Sequence, residues 1–229
     1  FNFLQCSFIG RKFTGFERQP ALIRKRLVDD LRGKYKSLGG KQTTTVWVVV
    51  DIFTQYYDVN IGNDMVDFLK KCNVNIKPIF YKNSVVAMIS HGLLNEAKQE
   101  LRWMTLKLNK INKGDLVVGV EPSEVLVWRD EAKDLIDNEL PSVLLFEELV
   151  LKLQQLDLLP ELNALNIKVW VHEHCHQKSL VDTNSINNAL RLIPHLKIEN
   201  INGGCCGMAG EFGYKHVKIS KKIAHNSLD

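Results

Sequence analysis

Val46-Trp47-Val48-Val49-Val50-Asp51-Ile52-Phe53-Thr54 passes from β-branched and aromatic side chains directly into polar ones. The apolar part has the length of a strand and falls far short of the roughly 18–20 residues that cross a bilayer. Working outward, similar runs recur at Asn75–Phe80, Leu116–Val120, Ile167–Val171 and Leu196–Ile201. Longer amphipathic stretches lie between them, at about Ile61–Lys71, Gly92–Leu108, Pro122–Asp137, Leu144–Leu156, Ser185–Leu192 and Gly207–His225. Short β-branched runs alternating with helical stretches predict an α/β fold with a mostly parallel sheet and helices on both faces. Pro122 suits a first helical position and Pro160 a connection, so neither opposes the scheme.

The pattern repeats weakly. Val46–Val50, a loop, the helix at Ile61–Lys71 and Asn75–Phe80 resemble Ile167–Val171, a loop, the helix at Ser185–Leu192 and Leu196–Ile201, about 120 residues later. We expect two βαβ-type modules, residues 42–160 and 161–229. Before them, residues 1–41 are rich in charge and end in Ser37-Leu38-Gly39-Gly40, which predicts a connector helix and a linker. The first residue is Phe1, and Phe1–Ile9 lacks the features of a signal peptide, so the chain is expected to be a piece of a larger protein.

Composition narrows the function classes. With 229 residues, 45% hydrophobic and 24% charged, the chain is neither disordered nor fibrous. Lys and Arg total 30 against 26 acidic residues, without a basic block, so nucleic acid and lipid surfaces are not expected partners. The five cysteines, Cys6, Cys72, Cys175, Cys205 and Cys206, are too few and too unevenly spaced for a disulfide framework. A reducing compartment with a metal or redox site fits better.

Every proposed strand runs into a polar or Gly/Cys-containing segment: Asp51-Ile52-Phe53-Thr54, Lys82-Asn83-Ser84, Glu121-Pro122-Ser123-Glu124, His172-Glu173-His174-Cys175-His176 and Gly203-Gly204-Cys205-Cys206-Gly207. In an open parallel sheet these loops share one edge, where ligands bind. Thiolates are soft ligands for iron–sulfur clusters or zinc, and flanking glycines such as Gly204 and Gly207 let backbone N–H groups approach a cluster. Zinc held by Cys175, Cys205 or Cys206 with His174 and His176 is a second reading. A vicinal disulfide, or a catalytic Cys with His174 or His176 as base, would use the same side chains. Other residues have plainer readings. Cys72 reads as packing and Cys6 as carrying no role; Asp51 and Glu121 are strand-end acceptors or caps, and His91 lies at a helix start. The four tryptophans, Trp47, Trp103, Trp128 and Trp170, read as core, and Phe146-Glu147-Glu148-Leu149 as an exposed helix face.

His174-Cys175-His176-Gln177-Lys178-Ser179, Leu190-Arg191-Leu192-Ile193-Pro194, Gly204-Cys205-Cys206-Gly207-Met208-Ala209-Gly210 and Phe212-Gly213-Tyr214 resemble the C-terminal cysteine-rich region of FAD-linked oxidoreductases of the D-lactate and D-2-hydroxyglutarate dehydrogenase type. More remotely they are similar to the cysteine-rich domain of heterodisulfide reductase and to the iron–sulfur subunits of glycolate oxidase and anaerobic glycerol-3-phosphate dehydrogenase. The resemblance extends back through Asp51-Ile52-Phe53-Thr54-Gln55-Tyr56-Tyr57, Ile61-Gly62, Ser90-His91-Gly92-Leu93-Leu94, Gly119-Val120-Glu121-Pro122-Ser123 and Arg129-Asp130-Glu131, covering about 46–227.

The resemblance implies the electron-transfer end of a parent that binds FAD elsewhere and oxidises a 2-hydroxy acid. It implies Cys175, Cys205 and Cys206 as ligands of a 4Fe-4S cluster, with Gly204 and Gly207 shaping the loop. The flavin-binding and ferredoxin-like domains of the parent would be partners, in the cytoplasm or at the inner face of the membrane, without a membrane-spanning segment. No general base or nucleophile is required of this part. Where such relatives carry cysteines in the first module, this chain has Ile52, Asn83-Ser84-Val85 and Glu124, so that module is expected to be scaffold. Three thiolates remain where a 4Fe-4S cluster takes four; Glu124, His174, His176 or a cysteine beyond Asp229 would supply the other. The competing class is a docking domain with vestigial cysteines.

Overall fold

The computed structural model describes residues 12, 44–181, 184–201, 203–210 and 212–228. The connector expected over residues 1–41, and Cys6 with it, lies outside the described residues apart from Lys12. At the centre is β1 (Thr45–Val50), flanked by β2 (Asn75–Phe80) and β3 (Leu116–Gly119) in the order β2-β1-β3, with both pairings parallel. Val46 faces Ile76 on one side and Leu116 on the other. Leu144 extends the pairing beyond β3, receiving an N–H from Gly119 and donating its own to Val117 at 3.0 and 2.8 Å.

The period of two along β1 divides its side chains between two cores. Val46, Val48 and Val50 pack with Met65, Val66, Leu69, Val118, Leu149 and Leu153, whereas Val49 joins Leu101, Met104, Val125, Leu126 and Trp128 on the opposite face. The first core is roofed by α2 (Val59–Lys71), which follows the short α1 (Ile52–Tyr56), and by α7 (Phe146–Gln155). Helix α2 turns Val59, Gly62, Met65, Val66 and Leu69 inward at helical spacing. It ends at Cys72, after which Asn73 takes a left-handed φ of 53°. The second core is covered by α4 (Leu94–Leu108), which buries Ala97, Leu101, Met104 and Leu108. Truncating a fully buried side chain such as Leu101 costs about 2–5 kcal/mol.

The second sheet contains β4 (Lys168–Val171) and β5 (Lys197–Asn200), parallel, with Lys168 opposite Lys197 and Val171 opposite Asn200. Around it are α8 (Cys175–Leu180), α9 (Asn184–Leu190), α10 (Phe212–Lys215) and α11 (Val217–Leu228). It rests on the first sheet's helices, α9 against α7 and α8 against α5 (Pro122–Leu126). Mixed α/β architecture with small parallel sheets flanked by helices is therefore as the sequence predicts.

Several details differ. The helix expected over Gly92–Leu108 is α4, beginning at Leu94, and a short helix not expected from the sequence, α3 (Val85–Ser90), precedes it; Ser84 caps α3 through Ala87 N–H and Gly92 adopts φ +74° between the two. His91 is thus at a helix end, where its Nδ1 lies 2.8 Å from the Ala87 carbonyl. The stretch Pro122–Asp137 divides into α5 and α6 (Glu131–Leu135), and Gly207–His225 is replaced by α10 and α11. Trp128 is core, but Trp170 is 61% exposed on β4. The Glu147-Glu148 run is not a solvated face. Glu148 receives the Arg129 guanidinium, with Nη1 at 2.8 Å, and Glu147 accepts from the Gln177 amide of α8. No helix among the described residues is long and apolar enough to cross a membrane.

Candidate metal centre

The cysteines lie on two neighbouring loops. After β4, His172-Glu173-His174 leads into α8, whose first residue is Cys175; after β5, Gly203–Gly207 carries Cys205 and Cys206. His172 Nε2 lies 3.1 Å from the Gly204 carbonyl, and Lys178 Nζ donates to the Gly203 carbonyl at 3.4 Å. These contacts bind the two loops side by side. All three thiols are free and exposed.

Helix α11 sets the shape of the Gly203–Gly207 loop. Ser227 Oγ donates to the Cys205 carbonyl at 2.9 Å. A Cβ on Gly203 would meet the Ser227 carbonyl oxygen at 2.3 Å, and one on Gly207 the Ser220 carbonyl oxygen at 2.5 Å. Gly207 also holds φ +80°, a conformation that costs other residues roughly 1–2 kcal/mol. That turn aims the Gly207 N–H at Cys205 Sγ, 3.3 Å away. The loop thus offers a sulfur already receiving a backbone donor, the kind of contact that tunes sulfur-ligated centres.

The thiols and imidazoles are not gathered around one point. A tetrahedral zinc ion with bonds of ~2.3 Å to sulfur needs ligand atoms within about 4 Å of one another. Among the described residues, none of Cys175, Cys205 and Cys206 belongs to a set of three His, Cys, Asp or Glu ligand atoms lying within 4.8 Å of one another. His174 is half-buried, and its Nδ1 has no hydrogen-bond partner among the described residues. Burial depresses its pKa, Glu121 opposes that, and neighbouring His176 and His172 add to it. His176 points toward Glu131, Nε2 to Oε1 being 3.8 Å.

The corresponding edge of the first sheet is built differently. Ile52 is the first residue of α1, as Cys175 is of α8, and Ser84-Val85 open α3 after β2. Glu124, on α5, is 2% exposed and accepts a hydrogen bond from Ser84 Oγ through Oε1. Its Oε2 is buried without a partner among the described residues. Burial pushes the carboxyl up to about 8 against the Ser84 hydrogen bond, and the Asp51 charge adds to the rise, so Glu124 carries a proton at neutral pH. Asp51 caps α1, accepting from Thr54 N and Oγ1 at 2.9 and 2.7 Å. Glu121 caps α5 and accepts from Ser123 Oγ at 2.7 Å. Tyr81 accepts from Trp128 Nε1 at 2.8 Å beside them. The structure turns Glu124 to this first-sheet edge, where the carboxyl and Ser84 fill the space between α3 and α5. Sequence reasoning missed this pairing, since Ser84 and Glu124 are 40 residues apart. It also missed Glu100, whose Oε1 accepts Lys82 N–H at 3.0 Å, and Asp130 and Glu131 beside His176.

Known dehydrogenases are similar to this chain over most of its length. The chain is 29% identical over 204 residues to D-2-hydroxyglutarate dehydrogenase of Escherichia coli (strain K12), covering 86% of the chain and 20% of that relative. It is 29% identical over 195 residues to the D-2-hydroxyglutarate dehydrogenase of Haemophilus influenzae, covering 78% and 18%. To a subunit of the anaerobic glycerol-3-phosphate dehydrogenase of Escherichia coli (strain K12) it is 24% identical over 171 residues, covering 71% and 43%. No protein-family model matches the chain, and no solved structure does. The chain spans about a fifth of the length of the D-2-hydroxyglutarate dehydrogenases; over most of its own length it is similar to a region of these dehydrogenases.

Proposed function

We propose that this chain is the iron–sulfur electron-transfer region of an FAD-linked 2-hydroxy-acid dehydrogenase, in which Cys175, Cys205 and Cys206 hold a 4Fe-4S cluster. The observation that carries this reading is the pair of joined strand-end loops presenting three free, exposed thiols, one already accepting the Gly207 N–H. The donor set is soft and suits iron–sulfur chemistry, with one ligand position left for another group. When bound, such a cluster accepts and releases one electron at a time. The chain's own contribution is to fix the two loops against each other, to supply the Gly207 N–H to sulfur, and to back the Gly207 turn with α11. The dehydrogenase names of the relatives support the reading, and the substrate would be oxidised at a flavin outside this chain. On this reading residues 42–160 act as scaffold, residues 161–229 carry the cluster, and the location is cytoplasmic. The flavin-binding and ferredoxin-like parts of the same parent are the partners.

A docking domain with vestigial cysteines is the second reading. It is favoured by the exposure of Trp170, 61%, on a sheet of two strands among the described residues, and of Ile167, 53%, just before β4. Anaerobic reconstitution with iron and sulfide separates the two. The first reading expects a brown protein with bound iron and sulfide that Cys175→Ser abolishes, the second a colourless protein indifferent to that change.

A further inference from the structure

Asp130 and Glu131 stand at the corner between α5 and α6, and His176 is the second residue of α8 on the far side of the contact between those elements. One ligand atom from each of the three lies within 4.8 Å of the others. We propose that Asp130, Glu131 and His176 form a site for a first-row divalent metal ion that pins the Cys175 helix to the first unit of the fold.

Four observations carry this. First, His176 Nε2 and Glu131 Oε1 face each other at 3.8 Å, beyond hydrogen-bond range yet compatible with two ligands each about 2 Å from a shared ion. Second, Glu131 Oε2 is buried and has no hydrogen-bond partner among the described residues, an arrangement that an ion would satisfy and that otherwise costs desolvation without return. Third, Asp130 occupies the N-cap position of α6 but makes no side-chain cap hydrogen bond, so its carboxylate is not consumed by the helix. Fourth, the cation next in sequence is committed elsewhere. Arg129 donates to Glu148 and to the Val143 carbonyl at 2.8 and 2.9 Å, so it does not neutralise the two adjacent carboxylates beside the imidazole.

One imidazole nitrogen and two carboxylates with room for water suit zinc, manganese or ferrous iron, and the thiols are not part of the set. Occupation joins residues of both sheets' surroundings, 45 or more positions apart, and places a divalent charge one residue from Cys175. The site uses no cysteine, and it takes for this ion the His176 imidazole that would otherwise be a candidate further ligand of the cluster.

Zinc is the probe. The full chain carrying Cys175→Ser, Cys205→Ser and Cys206→Ser together is stripped with chelator and titrated with zinc by calorimetry, so that no thiolate of the two loops contributes. The proposal expects one zinc per chain, a raised Tm on binding, and loss of both in Glu131→Gln and in His176→Asn. Asp130→Asn, a milder change at the exposed member, is expected to weaken binding while the metal-free Tm stays unchanged. Cobalt substitution gives a second readout, d–d absorbance without thiolate charge-transfer bands. Zinc binding that is absent, or that survives both Glu131→Gln and His176→Asn, overturns the proposal. Binding lost only because a variant unfolds is recognised by circular dichroism, and the Asp130→Asn titration then decides: undiminished affinity there overturns the site.

Discussion

Glu124→Gln is the perturbation whose size the structure specifies most fully. The native carboxyl is 2% exposed, and burial raises it from an ordinary 4.5 to about 8. Between those values the folded chain holds a proton that the unfolded chain has released, so stability must fall as pH rises, by about 1.4 kcal/mol for each pH unit. The contribution is complete below pH 4.5, declines through the window and levels off above about 8, for a total of about 5 kcal/mol. Glutamine matches the shape of the protonated carboxyl and cannot ionise. Urea unfolding of both proteins at pH 5.5, 6.5 and 7.5 reports Glu124 together with its coupling to Asp51, because Glu147 and His174, which also titrate abnormally, are common to both. The native protein is expected to lose about 3 kcal/mol relative to Glu124→Gln across that range. Parallel stability curves, or a native protein that gains on the variant with rising pH, would refute the assignment of a buried, protonated carboxyl.

Two further substitutions test the packing around the loops. Gly207→Ala forces a left-handed residue and a Cβ against the Ser220 carbonyl, and should destabilise by about 1–3 kcal/mol while also preventing cluster reconstitution, read by thermal melting and iron content. Arg129→Met leaves the Val143 carbonyl without its side-chain donor and Glu148 with the Leu145 N–H but no guanidinium, and should cost about 2 kcal/mol near neutral pH in urea unfolding. Its hydrogen bonds to Arg129 and Leu145 overcome burial and hold the Glu148 carboxyl below the usual range, so this stabilisation is present above that range and disappears as pH falls through the folded value.

The parallel strands were legible because they are written locally: β2 runs over the predicted Asn75–Phe80, and Thr45–Val50 exceeds its prediction by one residue. The loops at their carboxyl ends were legible for the same reason, since strand–loop alternation places polar residues on one edge whatever the long-range contacts are. Helix breaks were less so. The Asp130 corner interrupts a stretch whose apolar spacing is continuous, and only the compact turn ending α5 reveals the division; α3, with 6 residues, is too short for its spacing to mark it. Trp170 shows a different limit. Its residue type argues for burial, but burial requires a covering layer, and the second sheet has two strands among the described residues. In the site, Cys175, Cys205 and Cys206 announced themselves by residue type and glycine context. Glu131 did not, and Glu124 was legible as a candidate ligand but not as a buried partner of Ser84, because what distinguishes a buried, unpartnered carboxylate oxygen from a solvated one is tertiary contact.

If the joined loops after β4 and β5 hold a cluster through their three thiolates, electron paramagnetic resonance will detect it in the chain reconstituted anaerobically and reduced with dithionite. The Cys175→Ser, Cys205→Ser and Cys206→Ser variants are measured beside it. The expected result is a reduced 4Fe-4S signal, with about four iron atoms per chain, that each single substitution removes or alters. A chain that takes up no iron and sulfide, or whose signal is unchanged in all three variants, would contradict cluster ligation by these cysteines.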